Sequence, residues 1–218
     1  MASEAWQCPT LLLNGFGEHR IEGIGDKHVP WVHNVRDTDA VAAIDDEDCL
    51  RILRLFNEPA GREHLVARGV GEGEVEQLGW LGISSIANLL AAIKTAKYFE
   101  LGEGTCCSPC SRIRPIFTRR AWRSCASSGG AYTEKDAVAD YAGPLAHQGR
   151  DGFKELTYPE RKAIHNLKYY MWVEQQGKTV QELNAQWDPE YWRARFEDEV
   201  AYFDQLITEF NRQAGAAD

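Results

Sequence analysis

Two stretches of this chain hold residue types that do chemistry. The first is a loop with four glycines, Asn14-Gly15-Phe16-Gly17 and Glu22-Gly23-Ile24-Gly25, with His19, His28 and His33 nearby. Glycine backbone can approach a flat or charged ligand closely, whereas the same residues in a plain turn need no ligand. The second is Cys107-Ser108-Pro109-Cys110, preceded by Cys106 and followed by Cys125. Four thiolates can hold zinc, and the arginines among them can be read as a nucleic-acid patch. A zinc ribbon brings two CxxC pairs, and here there is one; the histidines lack matching carboxylate or thiolate spacing. No metal is expected at either place.

Composition narrows the partners. The 218 residues are 44% hydrophobic, enough for a buried core, and the formal net charge of -9 gives no general attraction to phosphate backbones or anionic lipid. Neither nucleic acid nor a membrane is an expected partner. No apolar run reaches a spanning length and Met1-Ala2-Ser3-Glu4 lacks a signal peptide's basic start, so a cytoplasmic location with reduced thiols is expected.

The elements that must position the glycine loop are legible in part. Ala40 to Ile44 is a short β-prone run, and Asp45-Asp46 caps a helix carrying Cys49, Ile52, Leu53 and Phe56, stopped by Pro59-Ala60-Gly61. From Asn57 to Gln77 the sequence is polar and glycine-dotted. Trp80-Leu81-Gly82-Ile83 predicts a short buried strand. Ser84 or Ser85 opens another helix, with Ile86, Leu89, Leu90, Ile93 and Ala96 on one face. Alternating strand and helix predicts an α/β sheet.

Beyond Tyr132 the signals are helical. Thr157 with Glu160 and Thr179 with Glu182 form capping boxes, Gly177 is a stop, and Asp188-Pro189 starts a further helix. On that helix Trp192, Phe196, Val200, Phe203, Ile207 and Phe210 recur every three or four residues, a stripe for packing on a core or on the partner subunit of a homodimer.

His19-Arg20-Ile21-Glu22-Gly23-Ile24-Gly25, followed by Val29-Pro30, resembles the H-K-I-Q-G-I-G loop and following I-P of cysteine synthases, which are pyridoxal-phosphate (PLP) enzymes. Gly82-Ile83-Ser84-Ser85 resembles that group's G-I-S-S-G-A strand-to-helix turn. The resemblance runs from Ala5 to about Glu103. Ile164-His165-Asn166-Leu167-Lys168-Tyr169-Tyr170 and Trp172-Val173-Glu174-Gln175-Gln176-Gly177 look like a bacterial cysteine-synthase-like branch, which brings the tail into the family.

The resemblance implies an α/β fold: the incomplete C-terminal part of a fold type II (tryptophan synthase β-like) sheet domain, residues 1–104, with an α-helical extension over 128–218. It implies PLP as cofactor of the intact enzyme, β-replacement or β-elimination on serine, O-acetylserine or cysteine, and Gly23, Ile24 and Gly25 passing beside the cofactor ring. In such enzymes a lysine holds PLP as a Schiff base, a glycine-rich loop holds its phosphate, and a serine meets the pyridine nitrogen. The lysine and phosphate loop are expected upstream of Met1, so no catalytic residue is assigned here and the chain alone is expected to bind no PLP. Asp26, Lys27 and His28 replace small or apolar residues of the family, so the substrate need not be that of ordinary cysteine synthases. The other reading is a small helical interaction module without catalysis.

Residues 105–127 break the resemblance where a core strand, a serine turn and a helix are expected. Thr105 to Ala126 instead holds four of the six cysteines, five arginines and no acidic residue. Cysteine codons begin TG and most serine codons TC, so one base earlier each acquires a central T, which always specifies an apolar residue. With one base restored, suitable codons give Asp-Val-Leu-Leu-Thr-Val-Leu-Thr-Asp-Ser-Thr-Asp-Leu-Tyr, a strand with a serine turn, followed by an acidic helix. One base repairs propensity, charge and family pattern together, so this stretch is read as out of frame.

Overall fold

The structure is a computed structural model that describes residues 1–105, 107–108 and 130–215. The out-of-frame reading of 105–127 and the CxxC candidate therefore lie, but for Thr105, Cys107 and Ser108, outside the described residues. The described chain is mixed α/β and forms two compact units.

The first unit takes Met1–Lys27 and Thr38–Tyr158. Its sheet has the order β1-β2-β3: β1 (Ala2–Ala5) runs parallel to β2 (Ala40–Ile44), and β3 (Phe153–Glu155) runs antiparallel on the other side. All five residues of β2 are buried, which is why the run is apolar throughout rather than alternating. Asp45 then caps α1 (Asp46–Asn57), its side chain accepting from Glu47 N at 2.8 Å, with Asp46, Glu47 and Asp48 set at the positive end of the helix dipole. Cys49, Ile52, Leu53, Leu55 and Phe56 of α1 enter one core with Ile83, Ile86, Leu90 and Ala91 of α4 (Ile83–Tyr98).

The polar, glycine-dotted stretch from Asn57 to Gln77 carries α2 (Pro59–Ala67) and α3 (Glu72–Leu78). α1 stops at Asn57, directly ahead of Glu58 and Pro59 as expected; Pro59 then takes the first position of the next helix, where its missing N–H costs nothing, and Gly61 lets the α2 backbone lie against Leu55. Trp80–Ile83 is not the expected buried strand: four residues separate α3 from α4, Trp80 is 64% exposed, and Gly82 is the N-cap of α4. That helix thus begins at Ile83, ahead of Ser84 and Ser85.

The second unit takes His28–Asp37 and Pro159–Asp218. This differs from the boundary at 128. Ala137, on α5 (Glu134–Asp140), is fully buried in the core of the first unit, and β3 pairs with β2. The segment 28–37 joins the tail instead because the tail binds its main chain. Lys168 Nζ donates to Trp31 O (3.0 Å) and His33 O (2.7 Å), Trp172 Nε1 to Val29 O, and Arg161 Nη1 to Arg36 O. With α6 (Tyr158–Lys168) carrying Lys168, the capping signals hold at Thr179, which with Glu182 closes a reciprocal box at the start of α7 (Val180–Ala185), and at Asp188, which caps α8 (Pro189–Ala194). Helical backbone continues through a π turn, Arg195–Glu199, into α9 (Val200–Ala214). Among the described residues no single helix is long and apolar enough to cross a membrane.

Candidate functional site

The carboxyl ends of parallel strands are where open α/β sheets bind ligands, and here β1 ends at Ala5 and β2 at Ile44. The glycine loop lies at this edge. Thr10 Oγ1 bonds the main chain at both ends of the loop, donating to Gly15 O (3.1 Å) and Asp26 O (2.8 Å). Arg20 ties the loop to the start of α1, its Nη2 reaching Asp46 Oδ1 and Glu47 Oε2, both at 2.7 Å, and its main-chain N reaching Asp46 Oδ2. Hydrogen bonds from the Arg20 guanidinium to Asp46 favour its charged form and push its pKa above the ordinary arginine value. Ile21 is fully buried and Ile24 packs half-buried against the core, so the loop is anchored by an apolar residue on either side of Gly23.

Gly23 and Gly25 have φ of +100° and +81°, in the region that disfavours every side chain. A Cβ on Gly23 would lie 3.5 Å from Ser84 Oγ, so the glycine loop and the turn at Gly82–Ser85, far apart in sequence, are neighbours in space. Gly25 is tighter. Its Cβ would lie 2.8 Å from His19 Nε2 and 3.1 Å from Ala5 Cβ, and Gly25 O is held by the His19 ring at 2.5 Å. Gly25→Ala is therefore expected to cost about 2 kcal/mol, combining a left-handed alanine with displacement of His19, and Gly23→Ala about 1 kcal/mol. Chemical denaturation of the two variants checks the order.

A cavity of about 220 Å³ is lined by Trp6, Asp45, Asp48, Lys94, Gln148 and Asp151, and by no residue of the glycine loop. Trp6 and Asp45 are the residues directly after β1 and β2. Lys94 is the member that the sequence pattern does not reveal: it is 3% exposed on the core side of α4, one turn beyond Leu90. Its Nζ donates to Ala43 O (3.1 Å) and Asp151 O (2.5 Å), bolting the chain ahead of β3 to the end of β2. Burial lowers the Lys94 pKa and raises that of Asp48. The signal in the sequence is slight, a lysine in register with Ile83, Ile86 and Leu90.

This cavity suits small cationic or polar groups better than a phosphate, since three carboxylates face one ammonium that main-chain oxygens already hold. The Cys49 thiol is fully buried and its pKa is pushed well up by desolvation, which leaves it protonated and unreactive. Among the described residues no group of three or more His, Cys, Asp or Glu is placed to hold a metal. Of the three histidines near the glycine loop, His19 belongs to the first unit, and His28 and His33 to the second.

Comparison with family models, with curated proteins and with solved structures gives no match to this chain.

Proposed function

We propose that this chain is the C-terminal part of a PLP-dependent, cysteine-synthase-like enzyme of fold type II, acting by β-replacement or β-elimination on serine, O-acetylserine or cysteine, and inactive by itself. The observation that carries this reading is the approach of Gly23 to Ser84 at the carboxyl edge of β1 and β2. The two motifs of the resemblance meet where a ligand of an α/β sheet belongs.

The described residues fit the ring side of the cofactor and not its anchorage. Gly23, exposed and without a side chain, leaves open backbone beside the turn that starts α4. Among the described residues the two buried lysines give their ammonium groups to acceptors: Lys94 to Ala43 O and Asp151 O, Lys168 to Trp31 O, His33 O and Gln186 Oε1. When bound in the intact enzyme, PLP supplies the electron sink for the reaction at the amino acid's β-carbon. The part of this chain is to hold the loop rigid through Thr10, Arg20 and Ile21 and to keep bulk away from its glycines.

The test has two arms. Purified as it stands and mixed with PLP, the chain is expected to pass gel filtration with no visible absorbance; a stoichiometric yellow protein would overturn the assignment of the anchorage to other residues. In the second arm one base is restored before Thr105, one is removed near Ser127 or Ser128, and the coding region ahead of Met1 is added. That product is expected to be yellow and to turn over one of the three amino acids. A repaired protein that folds and binds no PLP would remove the enzyme reading.

The second reading, a helical interaction module, rests on a separate observation, the exposed apolar stripe from Phe196 to Phe210.

A further inference from the structure

From Val200 to Gly215 every residue of α9 and its cap is exposed, including the face the sequence makes apolar. That face is Val200, Phe203, Ile207, Phe210 and Ala214, spaced alternately by three and four residues, and Phe196 continues the rhythm ahead of the helix. Phe196 is 65% exposed, Val200 47%, Phe203 52%, Ile207 57% and Phe210 69%. A helix of this length has little stability of its own in water and takes most of it from packing an amphipathic face. So narrow a stripe is the seam by which one helix packs along another, and β-branched Val200 and Ile207 at alternate seam positions favour a two-stranded pair.

The residues beside the seam select the partner. With Val200, Ile207 and Ala214 at a and Phe203 and Phe210 at d of a heptad, Asp204 and Asn211 take e, and Glu199, Leu206 and Gln213 take g. These flanks hold two acids and no base. Asp204 has no ion pair among the described residues, and Glu199 meets Arg195 of its own helix at 3.0 Å in an exposed pair of little worth. In a parallel pair of identical helices each g residue faces the e residue five places on, so Glu199 of each copy would stand against Asp204 of the other. In an antiparallel pair e meets e and g meets g, which again offers these acids no base. Lysine or arginine on the flanks of a different helix turns both repulsions into ion pairs. The same acids and the net charge of -9 disfavour an anionic membrane surface, whose amphipathic helices carry lysine and arginine on the polar face.

We infer that α9 docks one amphipathic helix of a different protein, packed as a two-stranded coiled coil along Val200, Phe203, Ile207 and Phe210, with lysine or arginine at the partner positions that flank Glu199 and Asp204. This rests on the second reading, of the stripe as an interaction surface, gives that surface its partner, and is independent of PLP.

Two synthetic helical peptides, with isoleucine at a and leucine at d and either lysine or glutamate at every e and g position, test this on the full chain. The lysine peptide is expected to bind about tenfold tighter than the glutamate peptide at low salt, the difference shrinking as salt is raised. Phe203→Glu, at a side chain half exposed in the free chain, is expected to weaken binding of the lysine peptide by about 30-fold or more. Asp204→Lys keeps the seam and should move the preference by about fivefold toward the glutamate peptide, a shift that apolar contact alone cannot give. Should Phe203→Glu lose helical circular dichroism, Asp204→Lys alone decides. Equal affinity for the two peptides, or a preference that Asp204→Lys leaves unmoved, overturns the basic partner and keeps the stripe as an interaction surface. No binding of either peptide, or binding indifferent to Phe203→Glu, overturns the docked helix and the interaction-module reading with it. Self-association lost in Phe203→Glu would give the stripe to a second copy instead, and binding to phosphatidylcholine vesicles lost in the same variant would give it to a membrane; either overturns the inference. None of these outcomes bears on PLP binding.

Discussion

Lys168→Met is expected to destabilise the second unit by about 3 kcal/mol, because three acceptors lose a charged donor at once while the cost of burying that charge is only partly recovered. The side chain is fully buried, and its Nζ bonds Trp31 O, His33 O and Gln186 Oε1 at 2.7 to 3.0 Å. Burial lowers its pKa to about 7. The same ammonium, added to desolvation, holds His165 and His33 down at about 4.

The pH dependence has one sign throughout. An unfolded histidine binds its proton near pH 6.5 and the folded one only near 4, so stability present above 6.5 is lost as pH falls between these values. An unfolded lysine stays protonated up to about 10.5, so stability also grows above pH 7. Lys168→Met should remove the alkaline branch and raise the His165 pKa toward its ordinary value. Tryptophan fluorescence in urea reads this unit well, since Trp31, Trp172, Trp187 and Trp192 lie in it. A variant as stable as the parent at pH 7, with the same acid limb, would show that Lys168 does not hold the segment 28–37.

The second large effect is expected at Gly61. A Cβ there would press into Leu55 O and lie 2.8 Å from Leu55 Cα, both main-chain atoms that cannot turn aside. Gly61→Ala must therefore push α2 off the end of α1, opening the packing around Leu55, Phe56 and Leu65, and about 3 kcal/mol is expected from overpacking. At Gly73, on α3, an added Cβ would meet nothing within 4 Å, so alanine should be accepted there at no cost or with a small gain. Urea midpoints of the two variants give the comparison; equal values would mean that α2 has room to move.

The sequence by itself determined the features whose causes are local. Asp45 accepting from Glu47 N, Thr179 boxed with Glu182, Asp188 ahead of Pro189, and the apolar run of β2 all depend on neighbours a few residues away, and each is where the pattern puts it. The same holds for Gly23 and Gly25 of the loop, whose positive φ angles L side chains rarely adopt. Glycine misleads only where its role is set from a distance: Gly61 is a contact surface for Leu55, and Gly82 a cap rather than part of a strand. Only the tertiary structure decided that segment 28–37 leaves its neighbours to join the tail, that Gly23 meets Ser84, and that Lys94 and Lys168 are buried. A lysine in an apolar register looks like an error in a one-dimensional pattern. It becomes a structural bolt only when main-chain carbonyls from residues far along the chain converge on its ammonium, and that convergence is a property of the folded chain alone.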